Sequence, residues 1–173
     1  MIRGLHHNAY RCRDSEETRK FYEDFLGLPL VNAFRIDTTM TGRKTGTGVL
    51  HAFFQLDDGS ALAFFEAPDM PFEFKDQHDF DLHIALEVEP DALEKMFAKG
   101  KADGREVRGV SDHKFIRSIY FRDPNGYVIE LTAKIPGMER DMDPKQNRAR
   151  DILKAWQTDK RQPARSAEPT KVA

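Results

Sequence analysis

Residues 7–30 of the chain, HNAYRCRDSEETRKFYEDFLGLPL, decide the fold, because a strand signal is followed directly by a helix signal. Side chains alternate between two faces over residues 5–13, as they do in a strand. Asp14 and Glu17 have the spacing of a capping box, which begins a helix. Apolar residues then recur at helical spacing, at Phe21, Tyr22, Phe25 and Leu26, before Gly27 ends the helix. This helix needs a sheet to cover its apolar face.

Three strand-like stretches follow the helix, at residues 29–36, 49–56 and 61–66. The last two are joined by Asp57-Asp58-Gly59, which is typical of a tight turn. Residues 1–66 therefore predict a first βαβββ module, in which residues 37–46 form a polar loop. Residues 67–81 predict a linker to the next unit.

The same order of elements occurs a second time over residues 82–136. An alternating strand at residues 82–88 precedes a helix that begins at Pro90 and ends at Gly100. Three further strands are predicted, at residues 106–110, 115–122 and 127–133, with Asp123-Pro124-Asn125-Gly126 as the turn between the last two. The fold class expected is α+β, with two paired βαβββ modules.

The C-terminal extension follows a different pattern. Pro144 can open a helix that runs to Gln157, within a helical region predicted at residues 137–157. The apolar residues of this helix form one stripe: Ala149, Ile152, Leu153 and Trp156. Residues 158–173 predict a disordered tail. The stripe indicates a helix that docks on another surface.

The composition favours a small-molecule partner in the cytoplasm. The 173 residues include 27 basic and 29 acidic side chains, and the net charge of -2 provides no overall field to attract nucleic acid or anionic lipid. The single cysteine excludes an internal disulfide and fits a reducing compartment. No apolar run approaches the roughly 20 residues that span a bilayer, so no membrane insertion is expected.

Four ionisable side chains occupy related positions in the two modules. His7 and His83 lie in the opening strands, and Glu66 and Glu130 lie near the ends of the last strands. An approximate twofold between the modules would bring the four together. Imidazoles with carboxylates suit a divalent Fe, Ni, Zn, Mn or Co ion, none of which the sequence distinguishes. A carboxylate among apolar strand residues is costly unless it is paired or binds a metal, which favours a metal site.

The other histidines in strands and linkers carry a weaker signal. His6 lies on the opposite face from His7, and neither His51 nor His78 has a carboxylate at a meaningful interval. These three are therefore predicted to be structural or exposed rather than ligands.

Three motifs resemble the vicinal oxygen chelate superfamily of glyoxalases, bleomycin resistance proteins and extradiol dioxygenases. They are residues 7–30, LHIALEV at residues 82–88 and YFRDPNGYVIEL at residues 120–131. The resemblance spans residues 2 to 133. It implies a divalent metal held by His7, His83 and Glu130, and a homodimer, since short members of the superfamily usually pair. It does not select one reaction, because the scaffold carries several.

Two branches of the superfamily imply different reactions. The set His7, Glu66, His83 and Glu130 is similar to the metal ligands of glyoxalase I, a lyase in which a glutamate such as Glu66 or Glu130 moves a proton. Arg11 falls where that family has a substrate-binding arginine that contacts glutathione. The residues after Glu66 lack the asparagine expected there. A glyoxalase-like lyase or isomerase is favoured because Glu66 is present.

The alternative is an Fe(II) extradiol dioxygenase that cleaves a catechol ring. The stretch SDHKFIRSIYFRDPNGYVIE is similar to the signature of that branch at His113, Tyr120 and Glu130. Ser111 departs from the usual first residue of the signature. The resemblance implies that His113 stabilises oxygen or catechol and that Tyr120 helps to deprotonate the diol. Ser60 stands where those enzymes have an acid/base histidine. A third alternative is a metal-free drug-binding protein of the bleomycin resistance type.

Overall fold

The first βαβββ module is present in the computed structural model, which describes residues 1–39, 41–42 and 44–160. Its elements are β1 (His7–Cys12), α1 (Ser15–Arg19), β2 (Leu30–Thr38), β3 (Lys44–Gln55) and β4 (Ala61–Glu66). Asp14 caps α1 as predicted by accepting from the Glu17 N–H, and a π-helical turn, Lys20–Phe25, continues the helix. The first sheet has the order β1-β4-β3-β2, with β1 and β4 parallel.

The second module repeats this path, which confirms the predicted fold class. Its elements are β5 (His83–Glu87), α2 (Pro90–Ala102), β6 (Val107–Asp112), β7 (Ile116–Arg122) and β8 (Val128–Lys134). The second sheet has the order β5-β8-β7-β6, and β5 runs parallel to β8. Both sheets therefore place the opening strand of the module beside its closing strand.

The two modules share one hydrophobic core. Its buried residues come from both sheets and from the helices, and they include Phe25, Phe54, Phe64, Leu93, Phe121 and Ile129. Because strand side chains alternate, Cys12 and Ile84 point into this core while His7 and His83 point the opposite way. The faces that carry the two histidines are thus both turned away from the core.

A buried polar network joins the β7–β8 turn to the first module. The Tyr22 hydroxyl donates to Asp123 Oδ2 at 3.0 Å, and Asn125 Nδ2 donates to Thr18 Oγ1 at 3.2 Å. Asp123 Oδ1 accepts from the backbone N–H groups of Asn125 and Tyr127. Burial raises the pKa of Asp123 above its ordinary value. This turn therefore fixes one module against the other.

The loop predicted at residues 37–46 is shorter than expected, because strand pairing extends into it. Thr38 pairs with Lys44, and the Thr45 hydroxyl donates to the Ile36 carbonyl at 2.8 Å. β-Branched threonines fit a pleated surface, which extends the hairpin beyond its apolar residues.

The C-terminal extension forms two short helices, α3 (Met138–Met142) and α4 (Ala149–Asp159), instead of one helix from Pro144. The Asp143 carboxylate accepts from a backbone N–H two residues later at 2.9 Å, and Asn147 Oδ1 accepts from the Ala149 N–H at 3.1 Å. Such side-chain bonds compete with helix formation, so α4 begins later. Residues 161–173 of the predicted tail lie outside the described residues. Within the described part of the chain, no helix is long and apolar enough to cross a membrane.

Candidate metal centre

The second module brings two of the predicted ligands together. Ala85 in β5 pairs with Glu130 in β8, so the carboxylate projects from the same face as His83. His83 Nε2 lies 3.1 Å from Glu130 Oε2. Two donor atoms around a metal with bonds near 2 Å are separated by roughly this distance, about 3 Å. Glu130 is 4% exposed, so its carboxylate has left bulk water.

Asp79, in the predicted linker, orients this pair. Its backbone carbonyl lies 2.8 Å from His83 Nδ1 and can only accept, so Nδ1 carries the proton and Nε2 is available to a metal. Both Asp79 carboxylate oxygens accept from the Arg108 guanidinium at 2.9 Å. That guanidinium in turn lies 5.4 Å from the centroid of the Tyr120 ring. One residue thus positions His83 directly and Tyr120 through Arg108.

A chain of hydrogen bonds connects Glu130 to the edge of the sheet. The Tyr120 hydroxyl donates to Glu130 Oε1 at 3.2 Å and lies 2.9 Å from His113 Nε2. Because the hydroxyl has one proton, its oxygen accepts from His113 Nε2–H. Burial and the neighbouring Glu130 carboxylate raise the pKa of Tyr120, so the phenol stays protonated at neutral pH. We call His83, Arg108, His113, Tyr120 and Glu130 the ligand face.

The ligand face borders an open cavity of about 540 Å³. Its apolar walls are the side chains of Phe80, Phe115 and Ile116. A cavity of this size that combines apolar walls with a few convergent polar groups is typical of a small-molecule site.

His7 lies on a surface lined by aromatic rings, unlike the polar ligand face. Rings cover the outer face of the first sheet around it: Phe34, His51, Phe53 and Phe65. His51 stacks on Phe65 with ring centroids 3.8 Å apart, and the centroid of Phe53 lies 5.4 Å from that of His7. We call His7 and these four rings the aromatic face.

His51, which the sequence predicts to be structural or exposed rather than a ligand, is buried in the aromatic face. It is 6% exposed, and its Nδ1 lies 3.2 Å from the Phe64 carbonyl. Burial lowers the pKa of His51, so the ring is neutral and packs as an aromatic group. Its partner in β2 is Phe34, which shares its face.

Glu66 is not brought to the other predicted ligands. It pairs with Cys12 in β1, an odd number of residues from His7, and therefore projects from the opposite face of the first sheet. Its Oε2 accepts from the Ser15 N–H at 2.8 Å, at the first turn of α1. A carboxylate there satisfies a free N–H and interacts favourably with the helix dipole. On the His7 face, β4 presents Ala61, Ala63 and Phe65.

Arg11, the predicted substrate-binding residue, lies on the same face as His7, because both belong to alternate positions of β1. Its guanidinium donates to the carbonyls of Ala67 and Met70. Its Nε is buried, and no partner for it is found among the described residues.

A single chain holds the two parts of the predicted site apart. Over residues 1–39, 41–42 and 44–160, no group of three histidine, cysteine or acidic side chains could hold a metal ion. His83 and Glu130 lie on the ligand face, whereas His7 lies on the aromatic face.

Comparison with known proteins identifies the class to which this fold and site belong. Residues 4–131 match the model of the Glyoxalase/Bleomycin resistance protein/Dioxygenase superfamily. The chain therefore belongs to this superfamily, as the sequence motifs indicated. It is also 27% identical over 137 residues to the metallothiol transferase FosB of Shouchella clausii (strain KSM-K16), covering 76% of this chain and 80% of that protein.

Solved structures share the fold at lower identity. A glyoxalase/dioxygenase from Nostoc punctiforme has 23% identity and a TM-score of 0.59, over 77% of this chain and 92% of that one. The fosfomycin resistance protein FosX from Listeria monocytogenes, in complex with Mn(II) and sulfate, has 21% identity and a TM-score of 0.60, over 80% and 98% of the chains. A glyoxylase/bleomycin resistance protein/dioxygenase domain from Frankia sp. EAN1pec has 18% identity and a TM-score of 0.63, over 78% and 100%.

Proposed function

We propose that the protein is a metal-dependent enzyme whose metal is held by His83 and Glu130 of one chain and by His7 of a second copy. The observation that carries this proposal is the hydrogen-bonded series His113–Tyr120–Glu130 beside an open cavity, with His83 Nε2 3.1 Å from the Glu130 carboxylate. A buried carboxylate that faces an imidazole nitrogen at 3.1 Å fits a divalent cation. Two imidazoles and one carboxylate leave coordination positions for a substrate.

The proposed substrate is a small molecule with two vicinal oxygens. A divalent metal held by His83, Glu130 and His7 of the second copy would supply Lewis acidity to the substrate oxygens. Tyr120 keeps its proton at neutral pH and can give it to, or orient, a substrate oxygen near Glu130. His113 lies exposed at the end of the series, where it can exchange protons between Tyr120 and solvent.

The reaction favoured by these contacts is oxidative cleavage of an aromatic diol. His113 contacts Tyr120, and Tyr120 contacts Glu130, so the three residues of the extradiol signature form one series. The aromatic face would form the opposite wall of a site made by two copies, and its flat rings suit a catechol ring. The sequence alone favours a lyase or isomerase over a dioxygenase because Glu66 is present. We propose the reverse preference, because Glu66 faces away from His7.

Two other reactions remain candidates, and one observation favours each of them. A glyoxalase-I-like lyase or isomerase would use Glu130 as its base and Arg11 to bind an anionic substrate group, since Arg11 shares the His7 face. Thiol transfer is the activity in the name of FosB, the relative that is 27% identical. Arg108 forms an ion pair with Asp79 at 2.9 Å, which leaves less of its positive charge for an anionic substrate group on the ligand face.

The test is an assay of purified, metal-loaded protein with catechols in air, followed by oxygen uptake, and with glutathione hemithioacetals without oxygen. Ring cleavage should fall roughly 10²- to 10⁴-fold in Tyr120→Phe and His113→Ala, because each loses an acid/base group. Glu66→Gln is the matched control and should keep activity and metal. A lyase that uses Glu130 and Arg11 would instead convert the hemithioacetal without oxygen, lose activity in Arg11→Ala and keep it in Tyr120→Phe and His113→Ala. Turnover of neither substrate by the metal-loaded protein would contradict both mechanisms and favour a binding role.

A further inference from the structure

Three side chains of the ligand face lie in one row across the second sheet. Arg108 in β6 pairs with Tyr120 in β7, and Tyr120 pairs with Glu130 in β8. Directly paired residues share a face of the sheet. The next position of the row is Ala85 in β5, the strand that also carries His83. Because β6 and β5 are the two edge strands, the row extends from one edge of the sheet to the other.

Asp79 contacts both ends of this row and closes it. Its carboxylate accepts from Arg108 Nη2 with both oxygens at 2.9 Å, and its carbonyl lies 2.8 Å from His83 Nδ1. His83 Nε2 lies 3.1 Å from Glu130, which accepts from the Tyr120 hydroxyl. The Tyr120 ring centroid lies 5.4 Å from the guanidinium of Arg108. We call Asp79, His83, Arg108, Tyr120 and Glu130 the contact circuit.

The ion pair with Arg108 connects the backbone around Asp79 to the sheet. Residues 71–78 lie in neither a helix nor a strand. Asp79 follows them in a turn, where the His78 carbonyl accepts from two later N–H groups. The Asp79 carboxylate joins this turn to β6, at the edge of the sheet opposite to β5. The ion pair therefore helps to determine where the Asp79 carbonyl lies relative to His83.

The position of that carbonyl determines which nitrogen of His83 can bind a metal. A neutral imidazole carries its proton on one of its two ring nitrogens, and an acceptor at Nδ1 favours the form that leaves Nε2 without a proton. Nε2 is the atom that faces Glu130. Loss of a partner that orients a histidine ligand typically lowers metal affinity roughly 10- to 100-fold.

We propose that the Asp79–Arg108 ion pair positions His83 for metal binding, so that Arg108 acts on the metal from the opposite edge of the sheet. This role rests on the proposed function, and it makes Asp79 and Arg108 positioning residues beyond the metal ligands. Their side chains are 27% and 49% exposed, and an ion pair of this kind contributes little to folding. We therefore expect its loss to change metal affinity far more than stability.

The variant Arg108→Gln separates positioning from a simple effect of charge. If charge alone matters, removing a cation near the site should strengthen the binding of Zn(II). If Arg108 holds Asp79 in place, the same variant should weaken Zn(II) binding roughly 10- to 100-fold. Arg108→Lys should keep most of the affinity, because one nitrogen makes both bonds to Asp79 and an ammonium can replace it.

A comparable ion pair on the same sheet provides the matched control. Glu94 in α2 accepts from Arg117 in β7 at 3.0 Å, and both side chains are partly exposed. This pair has no contact with the contact circuit among the described residues. Glu94→Gln should therefore leave Zn(II) affinity unchanged, whereas Asp79→Asn, which keeps the backbone carbonyl, should lower it.

The experiment combines Zn(II) calorimetry and urea unfolding with the ring nitrogen chemical shifts of His83 in metal-free, isotope-labelled protein. The shifts are measured at about pH 8, where an ordinary imidazole is neutral, and are assigned by their loss in His83→Gln. We expect one Nδ1–H form in the wild type and a mixture of both forms in Arg108→Gln and Asp79→Asn.

The outcomes distinguish this role from the proposed function. Unchanged shifts in both variants, or Zn(II) binding that Arg108→Gln leaves unchanged or strengthens, overturn the positioning role. A loss of affinity that accompanies an equal loss of stability to urea overturns it as well. A wild-type protein that binds no Zn(II) but shows the expected shifts contradicts the proposed function and leaves the positioning of His83 intact.

Discussion

The two modules follow the same chain path but present opposite chemistry on their outer faces. In the second module Ala85 pairs with Glu130, which pairs with Tyr120. The equivalent positions of the first module are Ala9, Ala63 and Phe53. A carboxylate and a phenol are thus replaced by a methyl group and a phenyl ring.

This difference shows how a repeated fold can divide one site between two surfaces. The ligand face holds two donors and two proton-carrying groups, whereas the aromatic face holds one donor, His7, among rings. Neither face forms a three-ligand site by itself. Since both faces point away from the shared core, the proposed function brings them together between two copies of the chain.

The largest expected effect is on metal affinity, and it distinguishes Glu130 in the second module from Glu66 in the first. Glu130→Gln should lower metal affinity more than about 100-fold and abolish metal-dependent turnover, because it removes a direct ligand. Glu66→Gln should leave metal affinity unchanged, because Glu66 bonds to the Ser15 N–H on the other face. Metal titration of both variants is the measurement. Equal losses would show that Glu66 is a ligand and that the comparison of faces fails.

The next largest effect concerns the turn before the last strand of each module, where substitutions should change the free energy of unfolding by different amounts. Asp123 is buried and accepts four hydrogen bonds, whereas Asp58 is exposed and bonds to Ser60. Asp123→Asn should lower the free energy of unfolding by about 2–3 kcal/mol, because an amide can accept at one of its two positions only. Urea unfolding of Asp123→Asn and Asp58→Asn checks this. A larger loss in Asp58→Asn would contradict the role given to the buried turn.

A substitution with a smaller expected effect makes the first module resemble the second. Ala63→Glu places a carboxylate on the His7 face at the position equivalent to Glu130. We expect metal affinity to rise roughly tenfold and turnover to fall, because a fourth ligand closes a coordination position. Calorimetric metal titration beside Ala61→Glu, two residues away on the same face, provides the control. An unchanged affinity in Ala63→Glu would place that position away from the metal.

Much of the fold and part of the site could be read from the sequence. The alternation around His7 and His83 and the capping signal at Asp14 predicted both modules. Glu66 was predicted as a ligand from its position near the end of a strand. That position does not reveal which face of the sheet the side chain occupies. Residues 61–66 are apolar on both sides, and such a strand does not disclose its register.

His51 is buried against Phe34 and Phe65, in agreement with its prediction as a structural rather than a ligand histidine. Its ring neighbours could not be predicted, because they depend on how β3 pairs with β2 and β4. Periodicity could not show that both histidine faces point away from one shared core, because this depends on the packing of the two modules.

The central claim is that His7 acts with His83 and Glu130 of another chain, and mixing two defective variants tests it directly. His7→Ala and Glu130→Ala are each expected to lack the complete site. If the site is shared, a mixed dimer contains one complete site and one that lacks both residues. Random re-association of equal amounts should restore about one quarter of the wild-type metal binding and activity. If mixed dimers form, as shown by co-purification through two different tags, and neither metal binding nor activity returns, the shared site is contradicted.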